Sequence, residues 1–155
     1  MAKYDVTDEA IINASPAVVY QAIIDEMDGK TSWWMPHRSS KLREGDSYSN
    51  VGSLLDTTVN VHGKLPIKFT TKTVEVKKNE VIRVNYVEGT FNGEGFWKFD
   101  HFKDKTKLSY RWRTSPSALF MRIFAPFLPV AKSHSDSIKI GFKNLNEFLK
   151  EKSES

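Results

Sequence analysis

The chain has 155 residues and no cysteine, one domain's worth of sequence without disulfides, thiolate metal sites or a cysteine nucleophile. Its formal net charge of +4 is carried by lysines interleaved with acids, a solvated surface that lacks the basic block and stacking motifs of a nucleic-acid binder. The start, MAKYDVTDEA, has no apolar signal core, and no run reaches the ~18 apolar residues that span a bilayer, so a cytoplasmic location is expected.

KYDVTDEAIIN reads as the first strand and is expected to deliver Ile11 and Ile12 to the core. ASPAVVYQAII then starts a helix, with Ser15 as cap, Pro16 in the first helical position and Val19, Ala22 and Ile23 on its apolar face. DGKTSWWMPH reads as a second short helix, stopped near Pro36. Six strand-like runs follow as far as Thr114: SKLRE, SLLDTTVNV, PIKFTTKTVEV, EVIRVNYVEG, TFNGEGFWKFDHF and TKLSYRWRT, with turn signals between them.

ALFMRIFAPFLPVA contains a single charge, Arg122, and two prolines. It reads as a kinked start to the last helix. Phe120, Ile123, Phe124 and Phe127 have helical spacing, which also allows a lid over the cavity mouth, or a patch through Phe120 to Phe127 that touches a membrane transiently or a second subunit. A long amphipathic helix is expected from about Ala131 to Lys150, with Ile138, Phe142, Leu145 and Leu149 on one stripe. Residues 1–150 then form a single domain and 151–155 a frayed tail. A meander gripping the last helix lets sheet face and helix stripe bury each other.

The stretch EGTFNGEGFWKFD carries three glycines inside strand-like sequence, at Gly89, Gly93 and Gly95. Pairing His101 with Thr106 sets Phe99 opposite Leu108, Trp97 opposite Tyr110 and Gly95 opposite Trp112 on one face. Asp100 then faces Lys107, and Glu94 faces Arg113, on the other. Phe91, Gly93, Gly95, Trp97 and Phe99 therefore point inward. The two inward glycines open a space that Trp112 partly fills, either as large-against-small packing or as the floor of a ligand cavity.

These motifs resemble those of the START-like, or SRPBCC, superfamily, and within it the polyketide cyclase/dehydrase-like group. The resemblance rests on Ser15-Pro16 and Tyr20, on Gly95, Trp97 and Phe99, on Thr106, Leu108, Tyr110 and Trp112, and on Gly141, Leu145 and Leu149. SHSDSIKIGFKNL also looks like the histidine-containing helix start of some members. The resemblance implies an α+β helix-grip fold: a seven-stranded curved antiparallel sheet wrapped around the C-terminal helix, with a deep apolar cavity between them. Such proteins bind lipids, sterols, hormones or polyketides. Some catalyse ring closure or dehydration, and others regulate chaperones.

The residues themselves offer little catalytic machinery. His37, His62, His101 and His134 are scattered, with no metal-ligand spacing, and neither a metal nor a cofactor is expected. His134 stands one turn before Ile138 on the core stripe and is the best inward group. With Tyr86 and Tyr110 it makes the set available for acid–base work. The expected ligand-lining residues on the sheet are Phe69, Tyr86, Phe91, Gly93, Gly95, Trp97, Phe99, Tyr110 and Trp112. The last helix adds His134 and Ile138. Aromatics supply apolar area and hydroxyls orient a polar end, so the expected partner is a small apolar or amphipathic molecule. The alternatives are a cyclase or dehydratase acting on such a molecule, and an interaction module whose cavity its own side chains fill.

Overall fold

The computed structural model describes residues 2–60, 66–117 and 130–154. β1 (Tyr4–Ile12) leads into α1 (Pro16–Met27). β2 (Arg38–Glu44), β3 (Leu54–Val59), β4 (Ile67–Lys77), β5 (Val81–Gly89), β6 (Phe91–Phe102) and β7 (Lys105–Pro116) follow, and α2 (Val130–Glu154) closes the chain. The strands form one seven-stranded sheet in the order β1-β7-β6-β5-β4-β3-β2, and every neighbouring pair is antiparallel. β2 to β7 are a meander, while β1 crosses over to pair with β7. The two edges never meet, so the sheet stays open. Register shifts between Leu42 and Glu44, Thr70 and Thr71, and Thr73 and Glu75 bend it, as bulges do. This is the helix-grip architecture.

α1 begins as its sequence dictates: Ser15 is extended, its side chain accepts from the Val18 N–H at 3.5 Å, and Pro16 is the first helical residue. Val19, Ala22 and Ile23 are buried. In β1 the period of two sends Ile12 inward, whereas Ile11 is exposed; adjacent strand residues face opposite sides, so only one could enter the core.

The expected second helix over DGKTSWWMPH does not form, and the segment runs in turns. The cause is Glu26, buried on α1. Its carboxylate accepts from Thr31 Oγ1 at 2.7 Å, the Trp33 N–H at 3.1 Å and the Trp34 N–H at 2.9 Å. A helix would direct those backbone donors to the carbonyls of its own preceding turn.

The β6–β7 register is the expected one throughout, from Gly95 opposite Trp112 to His101 opposite Thr106. On the outer face Glu94 meets Arg113 at 3.9 Å and Arg83 at 3.4 Å. Lys107 turns instead to Glu9 at 3.4 Å, leaving Asp100 with Lys98 at 3.9 Å.

α2 buries Ile138, Phe142, Leu145 and Leu149 and continues past Lys150 to Glu154. Asn146 fixes it to the end of β1, accepting from the Asn13 N–H at 2.9 Å and donating to the Ile11 carbonyl at 3.0 Å. Gly141 lets Trp34 lie against the helix, because a Cβ there would meet Trp34 Nε1 at 2.7 Å. Trp34 Nε1 in turn donates to the Ser137 carbonyl at 3.1 Å. The lid, membrane-contact and second-subunit readings of Phe120 to Phe127, and the position of His62, lie outside the described residues.

Candidate functional site

The site is the interior between the inner sheet face and the first turns of α2. Alternation along β6 and β7 buries Phe91, Trp97 and Phe99 from one strand and Leu108, Tyr110 and Trp112 from the other. Phe69 on β4 and Tyr86 on β5 extend the same face, with ring centroids 5.1 Å apart. Trp97 and Tyr110 lie 4.5 Å apart, and Phe91 meets Trp112 edge-on at 5.0 Å. From α2 come Ile138, fully buried, and His134, whose ring stacks on Trp112 at 4.0 Å with an interplanar angle of 8°. The structure thus brings the expected ligand-lining side chains together, with Gly93 the exception.

The glycines divide in their roles. A Cβ on Gly95 would overlap the Tyr110 hydroxyl, with Tyr110 Cζ only 2.7 Å away. Tyr110, not Trp112, occupies the space above Gly95, and its hydroxyl reaches Tyr86 Oη at 2.7 Å. Gly93 is only half-buried and has φ +138°. A Cβ there would strike the Arg113 carbonyl and stand 2.7 Å from Thr114 Cα. It permits a close approach of β6 to β7.

Both ring nitrogens of His134 are buried and without a hydrogen-bond partner. Burial, and after it the nearby Arg38 guanidinium, push its pKa down to about 3, so the ring is neutral at pH 7. Trp112 Nε1, Thr114 Oγ1 and Ser137 Oγ are likewise buried and unpartnered by hydrogen-bond geometry. The Trp112 indole still lies near enough to Tyr86 to favour its ionised form. Burial dominates there and at Tyr48 and Tyr110, holding all three phenols above their usual range. Tyr48 Oη accepts from Trp97 Nε1 at 3.1 Å.

Three of these residues do not emerge from the sequence reading: Trp34, Tyr48 and Arg38. Arg38 had a legible signal. Leu42 marks the inward face of β2, and counting back by two through Ser40 reaches Arg38, which is buried. His37 is half-buried beside it and His101 is exposed at the strand end.

Among the described residues no cluster of three or more His, Cys, Asp or Glu could hold a metal ion, and no helix is long and apolar enough to cross a membrane. A surface groove of about 640 Å³ opens between the start of α1 and the end of α2, lined by Ala14, Val18 and Leu149 among others; it shares no side chain with the aromatic interior.

Residues 3–146 match the family model described as polyketide cyclase / dehydrase and lipid transport. Among curated proteins no sequence match is found. Among solved structures, the Zhui aromatase/cyclase from Streptomyces sp. R1128 superposes with a TM-score of 0.71 at 13% identity, covering 93% of this chain and 92% of its own. A START superfamily protein from Mycobacterium smegmatis gives 0.70 at 17% identity, with 95% and 97% covered. Ginseng major latex-like protein 151 from Panax ginseng gives 0.70 at 13%, with 94% and 96% covered. At these identities the likeness is one of fold.

Proposed function

The chain belongs to the polyketide cyclase / dehydrase and lipid transport family, and from that premise we propose that it binds a small apolar or amphipathic molecule between the sheet and α2. The carrying observation is the chemistry of the interior. An aromatic face built by Phe69, Phe91, Trp97 and Trp112 ends at polar atoms with no partner, the His134 nitrogens foremost. A buried polar group left unpaired costs about 1–3 kcal/mol, which a ligand bringing its own donor or acceptor would relieve. Apolar burial supplies the affinity and these groups the orientation. The lack of cysteine suits a reducing cytoplasm as the place of work.

Acid–base catalysis of a cyclase or dehydratase type is less well supported. A general base works best with a pKa near the operating pH. His134, at about 3, is a weak base, and the raised phenols of Tyr86 and Tyr110 are weak acids. The other alternative, an interaction module with a self-filled interior, is favoured by one feature: Tyr110 already lies over Gly95.

Native mass spectrometry of the protein from its expression host, followed by denaturing extraction, tests the binding reading. Titration with N-phenyl-1-naphthylamine, a neutral fluorescent probe, complements it. We expect either a co-purifying apolar molecule or saturable probe uptake that quenches tryptophan emission. A clean apo mass together with no uptake would leave the self-filled module as the better account.

A further inference from the structure

Arg38 is only 6% exposed, and among the described residues no carboxylate pairs with it. Its guanidinium carbon lies 4.7 Å from the Trp34 ring centroid and 5.6 Å from that of Phe69. With aromatic rings against its faces, the in-plane N–H edge is what remains to bind a partner. Nε is buried and bonded to nothing. The other buried charges of the interior are engaged elsewhere. Asp8 accepts from Ser135 Oγ at 2.9 Å, and Glu26 holds Thr31, Trp33 and Trp34. Nor do the internal stretches 61–65 and 118–129 contain any Asp or Glu that could supply a counter-charge.

A guanidinium does not shed its proton in a protein, so burial cannot neutralise it as it neutralises His134. Arg38 shares its aromatic neighbours with the interior hydroxyls: Phe69 lies 5.1 Å from Tyr86, and Trp34 lies 6.4 Å from Trp97, which itself lies 4.5 Å from Tyr110 and donates to Tyr48. These neighbours are rich in donors. The Tyr86 and Tyr110 hydroxyls, 2.7 Å apart, use one proton between them and leave the other free. Tyr48 Oη accepts from Trp97 and keeps its own proton to give. What the group lacks is an anion with open lone pairs.

We propose that the molecule held between the sheet and α2 carries a carboxylate, bound by the in-plane edge of Arg38 with the Tyr48 and Tyr86–Tyr110 hydroxyls as further donors. A planar monoanion matches both the fork of the guanidinium and its single charge, whereas a phosphate dianion exceeds that charge. This inference rests on the ligand-binding reading above and narrows it to an acid.

The test is isothermal titration of the full chain with dodecanoate, methyl dodecanoate and dodecan-1-ol, and with 2-naphthoate and its methyl ester for a flat aromatic body. At least one acid should bind about tenfold or more tightly than its ester. Arg38→Met should erase that preference while keeping the ester affinity, and Arg38→Lys should restore part of it. Equal binding of acid and ester by the wild type would overturn the carboxylate and leave the ligand reading standing. Binding of none of the five would sink both. Should Arg38→Met fail to fold, the wild-type comparison still decides, supported by NMR of ¹³C-carboxyl dodecanoate. The bound acid should stay ionised to lower pH than the free acid, and an unshifted titration would count against Arg38.

Discussion

At Gly95 a single absent side chain decides how the interior is filled. Alanine there would drive its Cβ into the Tyr110 hydroxyl and break the Tyr86–Tyr110 hydrogen bond. Overpacking of this kind costs about 1–3 kcal/mol, so Gly95→Ala should lower the urea midpoint. The loss should shrink in a Tyr110→Phe background, where the overlapping oxygen is gone; equal losses in both backgrounds would mean that Tyr110 is not what fills the space. His134 gives a pH dependence of definite sign. Unfolded, a histidine titrates near about 6.5. Folded, His134 is held down to about 3, by burial first and then by Arg38 from β2, while Trp112 and Tyr110 of β7 face it without charge. Below about pH 6.5 the unfolded chain therefore binds a proton that the native state refuses. This contribution is full above that pH and is lost toward pH 3, at a slope of up to about 1.4 kcal/mol per pH unit. Asp5, held low first by its hydrogen bond to Arg111, and Asp56, held low first by Thr70, titrate below the upper part of this window. His134→Phe keeps a ring on Trp112 and removes the titration. Its unfolding free energy, measured between pH 6.5 and 4.5, should be flatter than that of the wild type, and an unchanged slope would assign the effect to other groups.

Among the elements, the β6–β7 hairpin was legible to the residue, because one register sorts apolar side chains to one face and opposite charges to the other. What register does not convey is reach. Gly95 sits across from Trp112, yet the diagonal neighbour Tyr110 leans over it, a choice made by side-chain packing rather than by strand pairing. The segment after α1 was misread for a different reason. Its tryptophans and the stop at Pro36 look like a short helix, but the deciding group is a carboxylate on the element before it. Glu26→Ala would strip the buried Trp34 N–H and its neighbours of their acceptor and should destabilise by about 3 kcal/mol in urea unfolding. Glu26→Gln keeps a carbonyl oxygen and should recover part of this loss. If alanine were neutral, the turn would be held by the burial of Trp34 against α2 alone.

For the molecule as a whole, the fold was readable because it rests on short-range periodicity and on motifs spread over the chain. The site was half readable: its aromatics follow from the same periodicity, as does the inward position of Arg38 on β2, whereas Tyr48 and Trp34 join it only through long-range packing. Arg38 also exposes a tension between stability and binding. A buried charge without a partner is expensive: even a buried ion pair is often matched or bettered, by up to about 4 kcal/mol, when apolar residues of similar volume replace it. Arg38→Met should therefore raise the urea midpoint of the ligand-free protein, even though it gives up the stacking on Trp34 and Phe69. In saturating carboxylate the gap should narrow, because a ligand at 100 times its wild-type Kd adds about 2.7 kcal/mol to the wild type and, bound tenfold more weakly, only about 1.4 kcal/mol to the variant. Unfolding both proteins after lipid extraction, with and without dodecanoate, measures the two halves together. A variant less stable than the wild type in both conditions would mean that the cation stabilises the empty fold through its aromatic neighbours. Arg38 would then be a structural strut, with no vacant charge for a ligand to meet.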